Sequence, residues 1–282
     1  MMVDMSKVSW LSKAEIASEV QELLSQWEIF TGQEVHPVRK PIRALNPDGI
    51  TLKSNTAEEQ RTIFFNGVKP PIPVEAIAEK YLQFTLEYDD LEEMLGIPDV
   101  LGATWVKEKR IVINSSLLDG VEGRITFTCS HEIGHWILHH KYLFDQFMGF
   151  SSLGNNDQPT VVCRLSTSKL RGEWQADYFS SCLLMPQEKV ENAYRRAFGA
   201  DPISIYNEKS CFGRNNPVVL DPALDTVKEI AQKVIDQGNF TNVSKEAMCY
   251  RLHDLGLLVN LTGQPLVGHP KAKRPSTRHN KI

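Results

Sequence analysis

His131-Glu132-Ile133-Gly134-His135 lies inside the helix-compatible run 129–140, and no other stretch of the chain constrains the fold as tightly. Residues four apart share a helical face, so His131 and His135 can direct imidazole nitrogens at one metal ion. The chain must therefore build a metal-site helix and pack against it an element that supplies another ligand. Glu132 falls beside the metal, where it can serve as general base toward the metal's water.

Catalytic zinc takes three protein ligands and keeps one position for water, whose pKa falls to about 7. His139 is a tempting third ligand, but 131, 135 and 139 on a straight helix span about 12 Å at 1.5 Å per residue. A third histidine would need a glycine to turn the chain, whereas Trp136-Ile137-Leu138 continues as good helix. His139 and His140 thus read as a helix-end pair. Glu173 is the better candidate. It opens a second helix-like run ending at Pro186, with Trp174, Ala176, Phe179, Cys182 and Leu183 at helical spacing. Glu173 and Asp177 are four apart on one face, so Glu173 completes a His, His, Glu set. Asp177 can accept the Nδ1 proton of His131 or His135, leaving Nε2 for the metal.

The approach at 124–128, the His131 to His135 motif, and Glu173, Ala176, Asp177 and Phe179 followed by Leu183-Leu184-Met185-Pro186 together resemble the ImmA/IrrE family of metallopeptidases. The similarity takes in the opening helix at 73–80 and the strand at 110–114, covering about residues 70–190. Residues 243–257 are similar to the helical segment that follows the core in these proteins. The resemblance implies a zinc-dependent endopeptidase with His131, His135 and Glu173 as ligands and Glu132 as general base. Its implied substrates are helix-turn-helix repressors of mobile-element or stress responses.

The expected fold is α+β: a zincin-like core with a small β-sheet and an active-site helix, then a helical C-terminal segment. Residues 1–69 form an N-terminal helix and variable region, 70–190 the core, 191–265 a helical, helix-turn-helix-like segment, and 266–282 a basic disordered tail. Ser12-Lys13-Ala14-Glu15 is a capping box opening a helix to about Trp27, with Ile16, Val20, Leu23, Leu24 and Trp27 on one face. Prolines 37, 41, 47, 70 and 71 punctuate the connection to the core. Thr104-Trp105-Val106, a polar turn and Ile111-Val112-Ile113 predict a β-hairpin whose edge strand aligns an extended substrate. Residues 141–172 read as an irregular segment bordering the cleft. Residues 224–258 read as helix, turn, helix around Gly238-Asn239, a pair that either packs on the core or binds DNA.

Composition narrows the remaining classes. The 282 residues, 41% hydrophobic, suit one sizeable core with appendages. A net charge of −4 argues against a chain built as a whole for nucleic acid. The sequence has no apolar run of about 18 residues and no signal-peptide pattern, so no membrane partner and a cytoplasmic location are expected. Its 5 cysteines, widely spaced without Cys-x-x-Cys, favour neither a disulfide framework nor a thiolate zinc site. Cys163 is either an ordinary buried or loop cysteine or a thiolate closing the metal's open position. Zinc follows from ligand type, with another divalent metal as the alternative. The rival functions are a metal-holding module that sequesters a repressor, toxin or antitoxin without cutting it, and a DNA-binding regulator. The sequence leaves oligomeric state open.

Overall fold

Ser12 opens the first long helix as its sequence predicts. In the computed structural model, Ser12 N donates to Glu15 Oε2 at 2.8 Å and Glu15 N to Ser12 Oγ at 3.3 Å. This reciprocal cap satisfies amides that a helix start leaves free. Helix α1 runs Lys13–Val35, two turns past the expected end. Ile16, Val20, Leu23 and Trp27 are buried on its inner face, and Leu24 is half-buried. The structure describes residues 3–35, 68–118, 122–150, 158–164, 170–206 and 226–263, with 120, 166 and 265. The expectations for prolines 37, 41 and 47, for residues 151–157 of the segment read as irregular, for the fifth cysteine, Cys211, and for the basic tail 266–282 lie outside these residues.

The chain divides into two units, Met1–Leu184 and Met185–Ile282. In the first, Val74–Ala76 (α2) runs into a π-helical turn, Ile77–Tyr81, at the expected opening helix. Strand β1 (Thr85–Asp89) and the short helix α3 (Leu91–Leu95) follow, then the hairpin β2 (Val100–Trp105) and β3 (Arg110–Asn114). The hairpin pairs antiparallel, as its alternating sequence predicts. It is not at an edge, however. The sheet order is β1-β3-β2-β4, with β1 parallel to β3 and β4 (Val161–Arg164) antiparallel to β2. The edges among the described strands are β1 and β4, because distant segments pair on both sides of the hairpin.

Period-two alternation gives the sheet two chemically different faces. Ala103, Trp105, Val112 and Val162 cluster with Leu91 and Val100 in an apolar core on one side. Gly102 and Thr104 face the other side, toward helix α4 (Glu122–Phe150). This helix overturns two expectations. It continues ten residues past His140, so His139 and His140 are not at its end, and with β4 it occupies much of the segment 141–172 that read as irregular. Large apolar residues such as Leu143, packed with Met5, Val8, Val106 and Val161, hold the extra turns to the core. Helix α5 (Arg171–Leu184) lies along α4.

In the second unit, α6 (Gln187–Phe198), α7 (Thr226–Gly238) and α8 (Lys245–Asp254) accompany a parallel pair, β5 (Ile203–Ile205) and β6 (Leu258–Asn260). The predicted helix, turn, helix is present. Asn239, at φ 58°, breaks the chain between α7 and α8, and Ser244 caps α8 by accepting from Ala247 N. The architecture is α+β, with a small mixed sheet and a helical C-terminal region. No helix among the described residues is long and apolar enough to cross a membrane.

Candidate metal centre

Close approach of two helices creates the site. A Cβ on Gly134 would lie 3.0 Å from Phe179 Cδ1 and 3.3 Å from the Ala176 Cα, so the glycine inside the His131 to His135 motif lets α5 reach α4. His131 and His135 on α4 and Glu173 in the first turn of α5 then converge, with one ligand atom of each within 4.8 Å of the others. His131 Nε2 is 2.9 Å from His135 Nε2 and 3.3 Å from Glu173 Oε2, while His135 Nε2 is 3.4 Å from Glu173 Oε1.

All three side chains are buried, and neither Glu173 oxygen has a well-directed hydrogen-bond donor. A buried carboxylate without donors is costly. Two imidazole nitrogens and such a carboxylate are also the donor set of a catalytic zinc site, so the residues fit a divalent cation. Burial opposes ionisation of Glu173, but the neighbouring imidazoles of His135 and His131 hold its carboxyl well below the usual range. Burial likewise disfavours charge on His131, yet Cys163, Asp177 and Glu173 together raise it well above the ordinary imidazole value.

Residues 86–199 match the family model of the IrrE N-terminal-like domain, Peptidase_M78. That stretch is similar to this peptidase family. The match runs from β1 through the sheet and both metal-site helices to the end of α6, and a zincin-like metallopeptidase fold accommodates this architecture. The stretches 73–80 and 243–257, which also carried the resemblance, lie outside it. No curated protein matches the chain.

Around the three converging residues, the IrrE-like domain places every other residue singled out from the sequence. Asp177 Oδ1 is 2.9 Å from His131 Nδ1, so of the two histidines considered it meets His131. Glu132 is fully buried on the sheet side of α4, where Thr104 Oγ1 donates to its Oε2 at 2.6 Å. Its Oε1 is buried and has no partner. A Cβ at Gly102 would sit 2.8 Å from that Oε1, so the glycine leaves the room this oxygen occupies. Burial lifts the Glu132 carboxyl above its usual value against the pull of His135, His131 and Thr104. Cys163 on β4 is a buried thiol beside His131, and burial pushes its pKa up. It lies outside the His131, His135 and Glu173 group.

The sequence reading missed Gly102, Thr104 and Gln175 and misplaced His139. Gly102 and Thr104 come from a strand about 28 residues away, and nothing in the local pattern marks them. His139 did carry a signal: it repeats the four-residue spacing, and a metal-binding imidazole needs a partner on its other nitrogen. It is buried, with Nδ1 3.2 Å from His135 Nδ1 and Nε2 2.7 Å from Gln175 Oε1. Burial, then the charge at His135, pushes its pKa down to about 3.

Proposed function

We propose that the chain is a zinc-dependent endopeptidase that cleaves a helix-turn-helix transcriptional repressor in a mobile-element or stress response. The observation that carries the peptidase reading is the convergence of His131, His135 and Glu173 within 4.8 Å beside the unpartnered Oε1 of Glu132. His131, His135 and Glu173 would hold a zinc ion, which when bound would supply Lewis acidity toward water and a peptide carbonyl.

The protein's own groups do the rest. Thr104 occupies Oε2 of Glu132, so Oε1 is the oxygen that takes a proton from the attacking water and passes it to the leaving amine. The raised carboxyl pKa brings it closer to the proton affinity such a shuttle needs. Asp177 holds His131 by its Nδ1, which turns Nε2 toward the site. Strand β4 is the sheet edge that carries Cys163 beside His131, and an extended peptide aligned by main-chain hydrogen bonds would lie along it. The repressor as substrate follows from the family resemblance.

Intact-mass spectrometry tests this reading. The substrate is a helix-turn-helix repressor encoded beside the gene, incubated with zinc-loaded wild type or Glu132→Gln. Two fragments are expected from wild type alone. An intact repressor in a stable complex with both proteins would instead support a sequestering module, and an intact, unbound repressor would remove this substrate.

A further inference from the structure

We propose that His139 and Gln175 are positioning residues that fix the tautomer of His135, anchored by the main chain of the N-terminal segment at Ser9. This inference rests on the metal-centre reading of His135. One group in the chain of contacts cannot change its role. The Ser9 carbonyl only accepts, and the atom 3.0 Å from it is Gln175 Nε2, which must donate. A flipped amide would set two acceptor oxygens against each other at that distance.

With Nε2 committed to Ser9, Gln175 Oε1 faces His139 Nε2 at 2.7 Å and accepts from it. A neutral imidazole has one N–H, so His139 carries it on Nε2 and presents a lone pair on Nδ1. His135 Nδ1, 3.2 Å away, must then be the donor. That leaves His135 Nε2 without a proton on the side where His131 Nε2 and Glu173 converge. Asp177 does the same for His131 from outside, so each histidine is oriented by a different device.

The anchor is itself tied down. Arg171 Nη1 donates to the Val8 carbonyl at 3.0 Å, and Trp10 stacks on Trp174 with centroids 5.4 Å apart and planes 3° from parallel. Met5 packs against Gly172 so closely that a Cβ there would lie 2.6 Å from its Cε. The segment before α1 therefore belongs to the support of the site, although the family match begins only at residue 86.

Two measurements on the full chain decide the matter. Long-range ¹H–¹⁵N correlation of histidine-labelled wild type, with and without zinc, is expected to show His139 as the Nε2–H tautomer; the Nδ1–H tautomer overturns the proposal whether or not any variant folds. Zinc affinity by chelator competition is expected to fall about 10- to 100-fold in His139→Leu. In His139→Asn, where Oδ1 can stand in for the Nδ1 acceptor, it should stay within about threefold of wild type. Wild-type affinity in a folded His139→Leu overturns the proposal, as does equal loss in both variants. Failure of wild type itself to bind zinc would sink the metal-centre reading instead, and the tautomer of His139 would still be read directly.

Discussion

The α4–α5 contact in the first unit and the α7–α8 contact in the second are both tight helix pairs with opposite interiors. At the α4–α5 contact lie His131, His135, His139, Glu173 and Gln175, with Glu132 on the sheet side of α4, and none of the six is more than 3% exposed. On α7, on α8 and in the turn that joins them, Val227, Ala231, Val234, Phe240, Met248, Cys249 and Leu252 are buried. Apolar burial is non-directional and roughly proportional to area, so the second pair needs only shape. Buried polar groups cost free energy unless each finds a partner at the right angle. The first pair therefore depends on groups from elsewhere: Thr104 from the sheet and Ser9 from the N-terminal segment. What that dependence leaves unsatisfied, Glu132 Oε1 and both Glu173 oxygens, is where the chemistry is expected.

The largest effect should come from the apolar pair. Phe240→Ala is expected to cost about 3–5 kcal/mol in urea unfolding, because the ring is fully buried in the turn between α7 and α8. A loss under about 1 kcal/mol would mean that area is not what holds this pair. Glu173→Met makes the converse test. Zinc binding should weaken by about 100-fold or more, exceeding what loss of an outer partner costs. The metal-free variant should melt at a higher temperature than metal-free wild type, since apolar replacement of buried charge is often stabilising by about 1–4 kcal/mol. A lower melting temperature would show that the polar interior stabilises the helix pair without a cation.

Thr104→Val sharpens the contrast within the polar pair. It removes the donor on Glu132 Oε2, a bond to a charged group of the kind that contributes about 1.5–3 kcal/mol, so peptide cleavage should slow at least about tenfold. Zinc affinity measured by competition should not change, and if it falls with the rate, Thr104 supports the metal site and not the base alone. The smallest effect concerns a half-exposed pair outside both interiors. Burial opposes charge on Asp99, but Arg164 and Ser166 hold its carboxyl below the ordinary 3.8 and tie the start of β2 to the end of β4. Because the folded pKa is the lower one, the stabilisation is present above 3.8 and is lost as pH falls through the folded value. Asp99→Asn should cost about 0.5–1 kcal/mol at neutral pH. That difference from wild type should close as acid protonates the carboxylate, and a difference that persists in acid would assign the cost to packing.

Legibility followed the range of the interactions. The Ser12 and Glu15 cap, the β2–β3 hairpin and the pairing of His131 with His135 are each encoded within a short stretch of chain, and each stands where the pattern put it. Glu173 and Asp177 were legible because helical spacing puts both on one face of a second helix, though which histidine Asp177 meets was not. The edge of the sheet was misjudged, since a hairpin does not reveal that β1 and β4 add on either side. The helix-end reading of His139 failed for a related reason: α4 continues because its further turns pack on residues as distant as Met5 and Val161.

By itself the sequence determined the local geometry: a four-residue histidine spacing on a helix, a carboxylate helix to face it, and strands with alternating faces. Covalent spacing and backbone periodicity suffice for those. Only the tertiary structure decided that Gly102 and Thr104 frame Glu132, that Cys163 touches His131, and that Ser9 reaches His135 through Gln175 and His139. These contacts join segments up to 166 residues apart. Their directions follow from burial, which removes water as a substitute partner and leaves each polar group only the neighbours the fold supplies.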